Sequence, residues 1–457
     1  MKPDTVNPLL VRKYNTPLPR YTSYPTVPYW QDSITVDSWK VVFTERFAEE
    51  NHVNGISVYI HLPFCETLCT YCGCNKKITT NHSVEEEYIH ALEKEWTLYR
   101  KMMKQIPVVR ELHLGGGTPT FFSPRNLKRV VEIIRKTSII HPNHEFSIEG
   151  HPNNTTPEHL QMLYNMGFRR ISYGVQDNNP EVQRIINRIQ PLANVKAATE
   201  NARRVGFQSV NFDLIYGLPR QTVQSIEQTM KEVIGLRPDR IAFYSYAHVP
   251  WTSRGQRLFD ENDLPGAEDK LLMYLKGKEV LMEAGYVDIG MDHFALTTDE
   301  LYKTWQNGKL HRNFMGYTTQ NTGMVVGLGV SAISDTGNGY AQNDKKLQNY
   351  YDDLKNNCLP IKKGCLLNNE DVAFKRYIQD ISCRGTTTFR RDDLPLLRTF
   401  TFPVLDSLAA DGLLLWSESG LILTEQGHYF IRVVCSAFDL HLQRDGKKEQ
   451  AVFSKAI

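Results

Sequence analysis

The sequence predicts an α/β protein centred on a parallel sheet of six βα units. Three observations carry that reading. Short apolar runs recur six times between residues 56 and 247, the segments between them have helical spacing, and polar or Gly-rich residues gather at the same end of each run. Strands separated by helices imply right-handed crossovers and a parallel sheet. Six repeats rather than eight suit an open (β/α)6 three-quarter TIM-like barrel. A doubly wound sheet would give the same string, so the chemistry must choose between them.

In chain order, residues 1–54 read as an N-terminal extended arm, rich in Pro and Tyr with little helical period, as in YNTPLPRYTSYP (14–25). The expected strands are ISVYIHL (56–62), RELHLGG (110–116), EFSIEG (145–150), RRISYGV (169–175), SVNFDLIYG (209–217) and RIAFYSYA (240–247). Helical spacing falls at 84–104, 124–137, 157–166, 180–206 and 222–235. Residues 55–365 are read as one catalytic domain whose last hundred or so residues are a mixed extension. A smaller, mainly helical C-terminal domain occupies 366–457, where GLLLWSESGLILTEQGHYFIRVV (412–434) resembles a winged-helix unit. In either architecture function belongs at the C-terminal ends of the strands.

With 41% hydrophobic and 23% charged residues, the 457-residue chain has the composition of an ordinary globular protein. Its 53 Lys+Arg against 51 Asp+Glu leave +2, no field for gathering nucleic acid or an anionic membrane. The N-terminus lacks an apolar signal core, and the longest uncharged stretch, 313–334, is full of Gly, Thr, Gln and Asn. A cytoplasmic protein with no membrane insertion and no nucleic-acid partner is expected. In a reducing compartment clustered cysteines bind metal more often than they form disulfides.

CETLCTYCGC (65–74) packs four of the eight cysteines into ten positions, spaced Cys65-x3-Cys69-x2-Cys72-x-Cys74. Structural zinc prefers two separated pairs, and Cys358, Cys365, Cys383 and Cys435 supply no second one. A [4Fe–4S] cluster ordinarily takes four thiolates. Three at this spacing leave one iron open to chelation, and the amino and carboxylate groups of S-adenosylmethionine suit it. Gly115-Gly116-Gly117-Thr118-Pro119 closes the second strand, where bare backbone can meet those groups closely. Glu149 ends the third strand and suits a ribose or ammonium group, while Tyr59 and Tyr71 offer stacking faces beside the cysteines.

The C-x3-C-x2-C loop after the first strand, followed by the glycine run, resembles the radical S-adenosylmethionine superfamily, which implies the open (β/α)6 barrel. Over more than 300 residues the chain further resembles the oxygen-independent coproporphyrinogen III oxidase family: PRYTSYPT (19–26), YIHLPFC (59–65), CGCNK (72–76), GVQD (174–177), NFDLIYGLPRQT (211–222), YAHVP (246–250), GMDHFAL (290–296), LHRNFMGYTTQ (310–320) and GVSAIS (329–334). The resemblance implies oxidative decarboxylation of two propionates of coproporphyrinogen III to vinyl groups. The product is protoporphyrinogen IX in heme biosynthesis, and the oxidant is a 5′-deoxyadenosyl radical. Cys65, Cys69 and Cys72 would hold one cluster, and Cys74 would be a cysteine required for activity without ligating iron. Tyr59, Gly116 and Glu149 would meet a first S-adenosylmethionine. A second would draw on Tyr71, Gly117, Thr118, Gln176, Arg188, Asp213, Ala247 and Ile333.

Arg20 and Arg312 are candidate partners for the substrate's propionates, since guanidinium suits bidentate carboxylate binding. Asp292, His293 and His248 are read as structural, and the arm at 14–30 as a cover over the substrate. An electron donor and a terminal acceptor, neither identified, and a monomer are further implications. The chain departs from the family at Gly150-His151-Pro152-Asn153, where an acidic residue is expected, and at Tyr71, where Phe is common. Two rivals are a heme chaperone, expected to lack Cys74 and the arm, and a heme-opening radical methyltransferase, against which the GMDHFA and LHRNF blocks argue.

Overall fold

The computed structural model describes residues 7–31, 34–445 and 453. The six strands stand in the expected order: β1 (Ile56–Leu62), β2 (Val108–Gly116), β3 (Ile139–Gly150), β4 (Phe168–Gln176), β5 (Ser209–Tyr216) and β6 (Arg240–Ser245). Each pairs in parallel with the next. Their period of two sorts side chains between two faces. Val58, Ile60, Leu112, Leu114, Phe146, Ile148, Ile171, Phe212 and Ile241 are buried in the main apolar core with Leu92, Trp96 and Leu127 of the covering helices. The alternate positions, Ser57, Glu111, His113, Glu145, Ser147, Arg170, Ser172 and Asp213, are polar and bond to one another across the inner face.

The sheet continues past both ends of this set. β7 (Tyr286–Gly290) and β8 (His293–Leu296) add antiparallel strands beyond β6. On the far side of β1, β9 (Val325–Leu328) is parallel, and β10 (Ile333–Asp335), β11 (Gly339–Asn343) and β12 (Ile361–Leu366) follow antiparallel. The twelve-stranded order β12-β11-β10-β9-β1-β2-β3-β4-β5-β6-β8-β7 has two free ends, so the barrel is open. Among the described residues no helix is long and apolar enough to cross a membrane.

Three elements differ from expectation. Within the stretch read as an extended arm, Pro8–Tyr14 and Val36–Glu50 are helices, the start of the second capped by the Thr35 hydroxyl. Trp39, Phe43 and Phe47, spaced by four, put three rings on one face and bury it in the barrel core. The span read as one helix over 180–206 is broken into Pro180–Ile185 and Leu192–Val205. Asn187 takes a left-handed φ of 52° and Pro191 has no N–H to continue the ladder.

The C-terminal region holds the helices Asn369–Arg384 and Phe402–Ala410, three shorter helices over 425–445, and a small antiparallel sheet of Thr386–Thr388, Gly420–Leu423 and Leu414–Ser417. It has its own apolar core, of Phe374, Tyr377, Leu405, Leu414, Val434 and Phe438. Leu10, Val11, Leu18, Tyr21 and Tyr24 belong to that core. The arm therefore runs between the C-terminal unit and the barrel, clamped from both sides. Arg432 donates to the carbonyls of Leu18 and Pro19, and Arg312 to those of Arg20 and Tyr21, the latter at 2.6 Å. Arg20 donates to the Ser245 carbonyl at the end of β6, 2.7 Å away.

Candidate active site

A cavity of about 440 Å³ opens where β1 to β5 end. Its wall includes Cys65, Cys69, Cys72 and Cys74, then Tyr71, Gly116, Gly117, Thr118, Glu149, Gln176, Arg188 and Asp213. The cysteine loop is fixed first. Backbone N–H groups of Gly117 and Thr118 donate to the carbonyls of Leu62 and Phe64 at 2.8 and 3.0 Å, and the Thr79 N–H to that of Cys65 at 2.9 Å. On its other flank, Ser253 Oγ donates to the Cys72 carbonyl at 2.9 Å and Gln256 Nε2 to that of Tyr71 at 2.9 Å.

The break at 186–191 serves the same loop. Thr70 N–H bonds the Ile186 carbonyl at 3.0 Å, and Asn187 Nδ2 the Leu68 carbonyl at 2.8 Å. The turn also swings Arg188 over Cys69, with Nη1 3.6 Å from Sγ. The Thr118 hydroxyl points at Cys65 Sγ from 3.3 Å. Donors aimed at sulfur favour thiolate, the form that binds iron. Burial pushes the Cys65 thiol up to about 11 against the Thr118 hydrogen bond, so binding there releases a proton. Gly117 completes the cradle: a Cβ on it would lie 2.6 Å from the Pro63 oxygen and 2.9 Å from Cys65 Sγ. Cysteine thiols on one cavity wall, two of them with a donor aimed at sulfur, are the chemistry that an iron–sulfur cluster takes.

Across the cavity Glu149 accepts from the Gly116 N–H at 3.0 Å and faces His113 Nε2 at 3.4 Å. Its place deep in the barrel disfavours charge, but His113 and the Gly116 N–H outweigh that and hold the carboxyl below its ordinary value. Asp213 accepts from Ser172 Oγ at 2.7 Å and Asn211 Nδ2 at 2.9 Å. Burial still lifts it to about 6. Arg188 is anchored by the Gly174 carbonyl at 2.6 Å, beside a buried Gln176 whose φ of 65° ends β4.

Not every expected residue lines this cavity. Tyr59 stands behind its floor, stacked on His113 and bonded to His61 Nδ1 at 3.0 Å. Ala247 is tied to the loop through Gln256, which bonds its carbonyl at 3.1 Å. Ile333 lies on β10, packed by its backbone against Gly327. Arg20 and Arg312 are engaged with backbone carbonyls of the arm and of β6. Residues the sequence reading missed also form the wall, Ser172, Asn187 and Tyr244, as does His151, which that reading singled out as a departure from the family. Ser172 and Tyr244 are alternate-position residues of expected strands, so strand period alone would have pointed to them. Burial, with Arg188 nearby, drops His151 to about 3, so it is a neutral imidazole there.

An open parallel barrel with a three-cysteine loop after its first strand defines a radical S-adenosylmethionine protein, and the profile of the Radical SAM superfamily matches residues 59–233. The chain is 38% identical over 454 residues to the oxygen-independent coproporphyrinogen III oxidase of Salmonella typhimurium, covering 98% of both chains. It is 38% identical to the protein of that name from Pseudomonas aeruginosa, covering 95% of both. The solved coproporphyrinogen III oxidase of Escherichia coli, described as a radical SAM enzyme, superposes with a TM-score of 0.88 at 34% identity, over 96% of this chain and all of that one. The chain belongs to the oxygen-independent coproporphyrinogen III oxidase family.

Proposed function

We infer that the cavity under the cysteine loop is where this chain carries out the oxygen-independent oxidation of coproporphyrinogen III. The chain is an oxidoreductase of the radical S-adenosylmethionine class, and that class implies a [4Fe–4S] cluster and S-adenosylmethionine. The residue roles proposed within it rest on one observation. Strand ends far apart in sequence bring four thiols, Gly116 and Gly117, the carboxyl groups of Glu149 and Asp213 and the guanidinium of Arg188 onto one wall.

In this reading Cys65, Cys69 and Cys72 hold one cluster, and Cys74, exposed beside them, acts without ligating iron. When bound, the cofactors supply a carbon radical able to take hydrogen from an unactivated C–H. The chain's own residues orient and shield. Gly116 lines the cavity and holds Glu149 through its N–H, Glu149 offers a charged carboxylate also held by His113, and Tyr59 backs that pair for a first S-adenosylmethionine. Tyr71, Gly117, Thr118, Gln176, Arg188 and Asp213 surround the remaining space for a second, with Ala247 and Ile333 shaping its edge. Two cofactor molecules suit two decarboxylations. Arg20 and Arg312 act on the substrate through the arm: they fix residues 18–21 at the end of β6, closing the site against water.

The test is anaerobic. Reconstituted protein given a reductant, S-adenosylmethionine and coproporphyrinogen III should form protoporphyrinogen IX together with 5′-deoxyadenosine. Cys74→Ser should keep the iron content and lose the product. Loss of iron in Cys74→Ser would make that cysteine a ligand and overturn its assigned role.

A further inference from the structure

His151 follows β3 and lines the cavity with Arg188, yet none of the roles above employs it. Its backbone is rigid. The His151 N–H donates to Thr120 Oγ1 at 3.2 Å, and its carbonyl accepts from the Asn154 and Thr155 N–H groups at 3.0 Å and from Thr155 Oγ1 at 2.9 Å. Gly150 lets this turn close so tightly, since a Cβ there would lie 2.9 Å from Thr155 Oγ1. The ring is fixed as well, because Nδ1 accepts the Asn153 N–H at 3.1 Å. An imidazole nitrogen that accepts carries no proton, and burial with Arg188 nearby keeps the ring neutral. Its single proton is therefore on Nε2.

Among the described residues that Nε2–H has no acceptor, and it is not among the polar atoms shut off from solvent. Arg188 adds a cation. Its Nη2 is anchored on the Gly174 carbonyl and its Nη1 faces Cys69 Sγ, while among the described residues no carboxylate lies within 4 Å of the guanidinium. A neutral donor and a cation without a carboxylate partner, on one wall, suit an anion that can use both. An acidic residue, expected within Gly150-His151-Pro152-Asn153, would instead pair with Arg188 and cancel its charge. Histidine leaves that charge to a ligand. Asn153, Asn187 and Ile189 of the same wall are exposed, so this corner stands at the mouth of the cavity.

We propose that His151 and Arg188 form a carboxylate-binding corner, in which His151 Nε2–H donates to a ligand carboxylate oxygen and the guanidinium supplies the opposing charge. His151 is then a specificity-determining residue for the reaction read above, and the inference rests on that reading. Both reactants carry the required group, S-adenosylmethionine in its methionyl part and coproporphyrinogen III in its propionates. The exposed flank favours a propionate, which can enter from the mouth with its ring system still outside the wall.

The experiment uses reconstituted full-length protein and three variants. His151→Phe keeps a ring and loses the donor, His151→Gln returns an N–H near Nε2, and His151→Glu, the same size as Gln, gives Arg188 a carboxylate partner. Coproporphyrinogen III binding is read by anaerobic equilibrium dialysis without reductant and S-adenosylmethionine binding by calorimetry, with iron content and melting temperature as checks on the fold. His151→Phe should weaken one ligand about tenfold, the worth of one hydrogen bond to a charged group, and spare the other. Loss confined to the porphyrinogen assigns the corner to a propionate, and loss confined to S-adenosylmethionine assigns it to the cofactor's carboxylate. His151→Gln should keep most of the affinity and His151→Glu should bind worst, a contrast that stands even if the Phe ring disturbs the turn. Unchanged affinity for both ligands in His151→Phe and His151→Glu overturns the corner. Loss of both ligands together with iron makes His151 a structural residue and overturns it too. Wild type that binds both ligands but forms no protoporphyrinogen IX on adding a reductant overturns the proposed function and not the corner.

Discussion

Gly117→Ala should strip the cluster from the loop while leaving the fold in place. An ideal Cβ at Gly117 sits 2.6 Å from the Pro63 oxygen, 2.7 Å from its carbonyl carbon and 2.9 Å from Cys65 Sγ. Ordinary contact begins near 3.4 Å, so backbone must yield by roughly 0.8 Å. It cannot yield freely, because Gly117 and Thr118 N–H groups tie the same two segments together. Overpacking of this kind costs about 1–3 kcal/mol. Spent on displacing Cys65, that is roughly a 5- to 150-fold loss in cluster affinity. Iron and sulfide per chain, measured after anaerobic reconstitution over a range of iron concentrations, read the loss directly. Gly73→Ala, in the same loop with nothing within 4 Å of its Cβ, is the control and should load normally. Wild-type loading of Gly117→Ala would refute the cradle.

Three further outcomes follow. Arg312→Ala removes charge-assisted bonds to the Arg20 and Tyr21 carbonyls, worth about 1.5–3 kcal/mol each; hydrogen-exchange protection over residues 18–25 should fall and KM for the porphyrinogen rise, and unchanged exchange would sink the clamp. Burial raises Asp213 to about 6, so its charge costs nothing below the unfolded value near 4, costs progressively more between, and costs fully above 6. Asp213→Asn should therefore raise the melting temperature of cofactor-free protein at pH 7.5, by a margin that shrinks toward pH 4, while weakening S-adenosylmethionine binding in calorimetry; a pH-independent margin would contradict this. His113→Phe keeps the stack on Tyr59 but removes the donor to Glu149, and should weaken S-adenosylmethionine binding roughly tenfold, about the worth of one hydrogen bond to a charged group, with cluster content intact.

Strands were legible because each joins a β-branched or aromatic outer face to a polar inner one. SVNFDLIY needs only its period of two to place Val210 and Phe212 against helices and Asp213 inside. The cysteine and glycine runs were legible because their chemistry is local. The helix Val36–Glu50 was obscured because Pro and Tyr elsewhere in 1–54 dominated the composition, although Trp39, Phe43 and Phe47 carried the right spacing. The break at Asn187 was missed although Pro191 marks it locally; its service to the cysteine loop, which joins residues over a hundred positions apart, is what the local pattern does not reveal. Arg20 and Arg312 looked like ligands by charge. Their backbone partners lie some 225 and 292 positions away, which no local pattern reveals.

The arm's placement also governs when the enzyme can become complete. Leu18, Tyr21 and Tyr24 leave the ribosome early, yet they share a core with Tyr377, Val434 and Phe438, which leave near the end. Barrel strands can pair as they emerge, since each neighbour in the sheet is the next in sequence from β1 to β6. The arm has no such option and must wait, unpartnered, for almost the whole chain to be made. Docking of the arm is thus reserved for a chain that already carries its C-terminal unit, and one released early would hold a barrel with the arm unpacked.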